Sequence, residues 1–222
     1  MKNGFLNLIL HNPDELWRDV EGAKVSALML NLICTTIVAS FIYGAATGCY
    51  VGGMQILITG CKIPALFLGT LLICAVLIYM ISRILVNTLT FCQSIMIPLI
   101  SITITSVILS AWAPVVLLFS ISLKFRAYSN YVGLVLLLTF SMATAGIVSI
   151  WYLYRGVRAL VKSRRKAVTL IFLWIIIYQF VCSQFAWILR PFVGSSSDRI
   201  SFQGNFYEAV PLLIRKFIEN AF

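Results

Sequence analysis

Residues able to act as nucleophile, metal ligand or general acid–base are scarce in this sequence: six cysteines, one histidine and seven carboxylates. Cys34, Cys49, Cys61, Cys74, Cys92 and Cys182 show none of the short paired spacings of a metal site. Four of them lie within or at the edge of apolar blocks, where a thiol behaves as a small hydrophobe. Cys49 and Cys61 bracket the segment YVGGMQILITG and leave two readings open, a disulfide in an oxidising compartment or two free thiols. There is no glycine-rich phosphate loop, and no acidic pair or nucleophile–histidine set stands where membrane-embedded chemistry would need it. The expectation is a protein that is not an enzyme, with no catalytic residue, no cofactor and no metal.

Charge is concentrated instead in YRGVRALVKSRRK, which holds Arg155, Arg158, Lys162, Arg164, Arg165 and Lys166 and no acid. With a formal charge of +10 such a cluster could grip nucleic acid. Its setting excludes that partner: the basic residues stand between and beside apolar blocks, with aromatics close by, as in loops held at lipid headgroups. The cluster is read first as a mark of membrane orientation. It is also the candidate contact for anionic lipid or a soluble partner, each surface-near cation contributing about 1 kcal/mol of attraction.

The elements that must carry these residues follow from composition. Hydrophobic residues make up 61% of the 222 positions and charged residues 11%, against about 25% charged in a soluble domain. Five blocks are long enough to cross a bilayer, which takes about 20 residues: 25–43, 64–81, 94–121, 131–154 and 167–188. In lipid the backbone must satisfy its own hydrogen bonds, so the blocks are predicted as helices, and the short alternating segments of a barrel are absent. The third block contains Pro98 and Pro114 and reads either as one kinked helix or as a span with an interfacial turn; four or six spans are the alternatives to five. The fold class is thus an all-α integral membrane protein with amphipathic terminal helices, organised as 1–24, an interfacial leader, 25–188, the membrane domain, and 189–222, an extramembrane tail. In the leader, Asn12, Pro13 and Glu15 form a capping box that opens a short surface helix. No cleavage site follows the first apolar stretch, so the first span is expected to act as its own signal.

Counting cations near span ends with the amino terminus inside gives nine on the inner side: Arg18, Lys24, Arg83 and the six of the cluster. The outer side holds five, Lys62, Lys124, Arg126, Arg190 and Arg199. The inner excess predicts a cytoplasmic amino terminus and, with five spans, a carboxyl terminus on the far side.

No ionisable residue lies inside any of the five blocks, which weakens an ion-coupled transport reading. Polar residues do recur at depth, and Asn31, Gln179 and Gln184 are the costly ones, since an amide cannot fully pair with its own helix. Together with hydroxyls such as Ser106 they are either helix glue, through interhelical or backward hydrogen bonds, or the lining of a polar path. Gly44, Gly48 and Gly52 recur every four residues and predict a flat ridge for close helix packing. That ridge faces another helix of the chain or a second copy, unless the glycines belong to a re-entrant hairpin. Trp112, Trp151 and Trp187 are expected to anchor at the interfaces, and Trp174 with Tyr178 to pack within the bundle.

The stretch NPDELWRDV leading into a small-residue-rich span, then YGAATGCYVGG, then KIPALFLGTLLICAVLIYMISRIL, resembles the Yip1-like superfamily of polytopic membrane proteins, its bacterial members in particular. The likeness covers about Asn12 to Val161. It implies a multi-pass protein of the bacterial inner membrane with a cytoplasmic amino terminus and a role in organising membranes or membrane proteins. The long leader of eukaryotic relatives and the Asp-Leu-x-Gly-Pro signature are missing, DVEGAKV being only an echo, so GTPase binding does not carry over. The expected function is a membrane scaffold or the membrane-embedded subunit of an assembly, in contact with lipids and forming a homo-oligomer or binding another protein; a partner-gated pore or transport component is the alternative.

Overall fold

The computed structural model describes residues 25–87, 89–122 and 128–189, with side chains in the fourth helix from residue 133. Within them are five helices: α1 (Val25–Gly48), α2 (Gln55–Leu85), α3 (Phe91–Ser122), α4 (Tyr128–Leu160) and α5 (Arg164–Leu189). All five are long and apolar enough to cross a membrane, and the described residues contain no sheet. The amphipathic helices expected before Val25 and beyond residue 189 lie outside the described residues.

The helices outrun the apolar blocks that announce them. α2 starts at Gln55, nine residues before the block beginning at Pro64, so Lys62 sits inside a membrane helix. The block from Pro64 itself holds no charged residue; the helix that carries it is longer and takes in Lys62. Its place two turns from the helix start lets a long aliphatic stem carry the ammonium toward the interface. Arg83, Arg155, Arg158, Arg164, Arg165 and Lys166 likewise belong to helix ends. The apolar core of each helix fixes where it crosses, and its hydrogen-bond ladder continues into the headgroup zone until a turn residue stops it. α3 runs unbroken through both Pro98 and Pro114 and so is one helix, not a span plus a turn.

Local chemistry explains the turns. After Gly48 the chain reverses through Gly52 (φ +83°) and Gly53 (φ +59°), a left-handed pair that only glycine adopts without strain. After α2, the Arg83 guanidinium donates to the Asn87 carbonyl at 2.9 Å, and Asn87 takes the left-handed conformation that Asn tolerates. Thr90 and Gln93 then cap α3 reciprocally. The Gln93 amide oxygen accepts from the Thr90 N–H (3.0 Å), and the Thr90 hydroxyl accepts from the Gln93 N–H (3.3 Å). Between α4 and α5, Arg158 donates to the carbonyl of Lys162 at 3.0 Å, a cation on the negative end of α4.

α3 is the central helix: every residue from Met96 to Ile104 is buried. α1 packs along both α2 and α3, α4 packs on α3, and α5 packs on α2. α4 and α5 are joined by a short turn yet make few contacts with each other. They are the peripheral helices, with 17% of each apolar window buried against 44% for α2. Large side chains such as Leu30, Leu72, Ile84, Leu136 and Phe172 point outward, as a lipid-facing surface requires.

Candidate functional site: helix clasps, a lateral cleft and a basic turn

Gly44 and Gly48 are buried where α1 meets the start of α2. A Cβ on Gly44 would lie 2.7 Å from the Thr59 carbonyl oxygen and 3.0 Å from the Gly60 Cα. One on Gly48 would lie 2.8 Å from both the Gln55 oxygen and the Ile56 Cα. The ridge therefore faces backbone within the chain. Gly52 does not belong to it: the helix ends first, and a Cβ there would meet nothing within 4 Å. Its role is the positive φ of the turn. The segment from Cys49 onward forms this turn and the opening of α2, not a separate re-entrant hairpin, and all six cysteines are free.

Apart from the unpartnered Ser120 in the last turn of α3, the buried hydroxyls are spent in two ways. Most bond back one turn, as Ser106 does to the Ile102 carbonyl at 3.0 Å and Thr105 to Ser101 at 3.0 Å. Three pairs join helices instead. Thr36 meets Thr103 at 2.9 Å and ties α1 to α3. Tyr43 meets Ser141 at 2.6 Å and ties α1 to α4. The Ser101 and Ser149 hydroxyls meet at 2.6 Å, and each also lies within hydrogen-bond reach of the other's carbonyl, at 3.0 and 3.2 Å. Tyr43, Ser141 and Ser149 were not singled out from the sequence. Ser141, Ala145 and Ser149 recur every four residues, all buried, and that small-residue spacing was the available signal.

α5 is held to α2 by side chains that reach across. The Trp174 indole donates to the Ile78 carbonyl (3.3 Å), the Tyr178 hydroxyl to the Phe67 carbonyl (3.1 Å), and the Phe185 ring lies over Gly69. Trp174 and Tyr178 thus pack inside as expected. Trp112 stacks edge-on with Phe140 at 5.6 Å.

Because α5 is drawn to α2 and α4 to α3, a cleft opens among α2, α3, α4 and α5. It encloses about 420 Å³, and Leu66, Phe67, Pro98, Ile102, Gly146 and Trp174 line it. A groove between α4 and α5 adjoins it and shares Ile150 and Ile175. Ser101, Ser149, Thr105 and Tyr178 also line the cleft, but their hydroxyls are already bonded within the chain, so apart from the Gln179 amide the walls are chemically apolar.

The proposed polar path does not assemble. Asn31 is exposed on α1, Ser106 is buried in α3 and bonded to its own helix, Gln179 is exposed at the rim of the cleft, and Gln184 is half-buried further along α5. The basic residues do come together, around the α4–α5 turn. Lys162, Arg164, Arg165 and Lys166 are exposed, while Arg155 is half-buried with its guanidinium 4.8 Å from the Trp151 ring centroid. No Asp or Glu occurs anywhere between residues 25 and 189. Among the described residues no group of three His, Cys, Asp or Glu could hold a metal ion. The chain matches no family model, no curated protein and no solved structure.

Proposed function

We propose that this chain is a non-enzymatic membrane scaffold, or the membrane-embedded subunit of a larger assembly, that docks an acidic partner on its basic α4–α5 turn. One observation carries the reading: the exposed run Lys162–Lys166 belongs to a membrane domain whose sequence from 25 to 189 contains no acid to neutralise it. A cationic surface of this kind is complementary to an acidic protein segment and raises its rate of encounter. The interior supports the same reading, since its hydroxyls are used in clasps and backward bonds instead of lining one continuous channel. The resemblance to the Yip1-like superfamily points the same way, and with it we place the protein in a bacterial inner membrane with a cytoplasmic amino terminus.

Native purification followed by intact-mass measurement tests the proposal. A stoichiometric acidic protein is expected to accompany the chain and to be lost when Arg164, Arg165 and Lys166 are changed to Gln. Recovery of the chain alone, or of the same complex with the neutralised variant, would overturn it. Reproducible solute flux in liposomes, abolished by Ser106→Trp or Gln179→Trp, would replace it with a pore.

A further inference from the structure

We propose that the cleft, with the α4–α5 groove that opens from it, is a binding site for one anionic phospholipid, its headgroup on the basic turn and one acyl chain running down the groove into the cavity. Three independent observations converge on that occupant.

The first is shape. The cavity of about 420 Å³ falls within the range of roughly 300–1,000 Å³ usual for small-molecule sites. It continues into the groove through Ile150 and Ile175, so the two form one crevice opening sideways into the bilayer. On α5 the crevice runs from Val168 to Cys182, about 21 Å at 1.5 Å per residue. That is about two thirds of the roughly 30 Å hydrocarbon core, and suits a chain entering from one leaflet.

The second is wall chemistry. The hydroxyls facing the cavity hold intrahelical or interhelical bonds already, with Ser101 and Ser149 closed on each other and Tyr178 on Phe67. A polar solute would find few free partners there, whereas a methylene chain needs none.

The third is charge at the mouth. Helical spacing puts Arg165, Val168, Phe172 and Ile175 on one face of α5, so the apolar stripe of that wall ends in a guanidinium. On the α4 wall, Trp151 lines the groove and carries Arg155 over its ring. Two cations thus stand at the interfacial end of an apolar slot, which is the arrangement of a phosphodiester joined to a fatty chain. Guanidinium groups bind the phosphodiester that both lipid classes carry, and two cations at one mouth repel the ammonium of a zwitterionic headgroup, so the site favours a lipid of net negative charge.

Gly146 provides a clean test. It lines the cavity, and a Cβ there would meet nothing within 4 Å, so a larger side chain can leave the helix at this point and Gly146→Leu places its bulk in the slot. The full chain is reconstituted in nanodiscs of phosphatidylcholine with or without phosphatidylglycerol, released into mild detergent, and its retained lipid counted by native mass spectrometry. The expected result is one phosphatidylglycerol per chain, at least tenfold enriched over its share of the bilayer. Gly146→Leu should lose the bound lipid by tenfold or more while keeping wild-type helicity and monodispersity. Arg155→Gln with Arg165→Gln should keep a lipid but lose the headgroup preference. Overturning results are no retained lipid in the wild type, equal retention in Gly146→Leu, or a headgroup preference unchanged by the arginine pair. The readout uses the chain alone, so it stands or falls separately from any protein partner.

Discussion

At the residue scale the sharpest constraints are steric. Gly44 and Gly48 face backbone atoms of α2, which cannot rotate away as a side chain can, so even a methyl group must push the two helices apart. Gly44→Ala and Gly48→Ala are each expected to cost about 1–3 kcal/mol, the range for overpacking a tight contact. Gly146→Ala, in open space on a regular helix, should be neutral or stabilising by up to about 1 kcal/mol. Gly52→Ala is a different case: space is available, but the backbone sits at φ +83°, and an L-residue there loses about 1–2 kcal/mol. Unfolding of the four variants in detergent, followed by circular dichroism, would check the order. Equal stability of Gly44→Ala and Gly146→Ala would contradict the packing described. The glycine spacing announced a close contact, but spacing alone could not separate two packing residues from a third that only shapes a turn. The distinction depends on where the helix stops, and that is decided by the Gly52–Gly53 pair.

At the element scale the five helices were legible because hydrocarbon leaves the backbone no other way to bond, and α3 shows how far this rule reaches. Two prolines do not break it, since each removes one donor while the surrounding turns remain helical, around buried Pro98 and exposed Pro114 alike. The start of α2 was hidden because Gln55, Gly60 and Lys62 interrupt the apolar run that marks a span. The cap at Thr90 and Gln93 was written in the sequence as Thr-x-x-Gln and passed over between long blocks. The clasp between Tyr43 and Ser141 had no local sign, because it joins residues 98 positions apart and exists only once α4 settles on α1 and α3. Neighbouring residues on α4 convert this into a prediction. Ala145 is fully buried on the Ser141–Ala145–Ser149 ridge, whereas Gly146 faces the cleft. Ala145→Leu should therefore cost about 1–3 kcal/mol and loosen the Ser101–Ser149 clasp, while Gly146→Leu leaves stability within about 0.5 kcal/mol. Thermal unfolding of the two proteins side by side decides it; matched losses would mean that α4 is rotated from the orientation described.

At the scale of the whole molecule, the five consecutive spans of the described residues make orientation a single choice for the entire bundle. If α1 crosses one way, the turn after α2 and the turn between α4 and α5 share the face of the amino terminus, and the Gly52–Gly53 turn lies opposite. The charge balance across this arrangement is nine cations to five, and six of the nine belong to the α4–α5 turn and its flanks. Replacing Arg155, Arg158, Lys162, Arg164, Arg165 and Lys166 by Gln would leave three against five and reverse the bias. The expected outcome is a mixed or inverted population: dual reporters at Ser163 and Gly53, which the proposed orientation assigns to the cytoplasmic and far faces, should exchange signals in a large fraction of molecules. A variant carrying the same six changes together with Lys62→Gln, Lys124→Gln and Arg126→Gln restores an inner excess of three to two and should recover the parental orientation. Unchanged orientation in the first variant would show that the cluster does not set the topology. The basic turn would then be left with recognition as its sole physical purpose, and the case for a lipid or an acidic partner bound there would grow stronger.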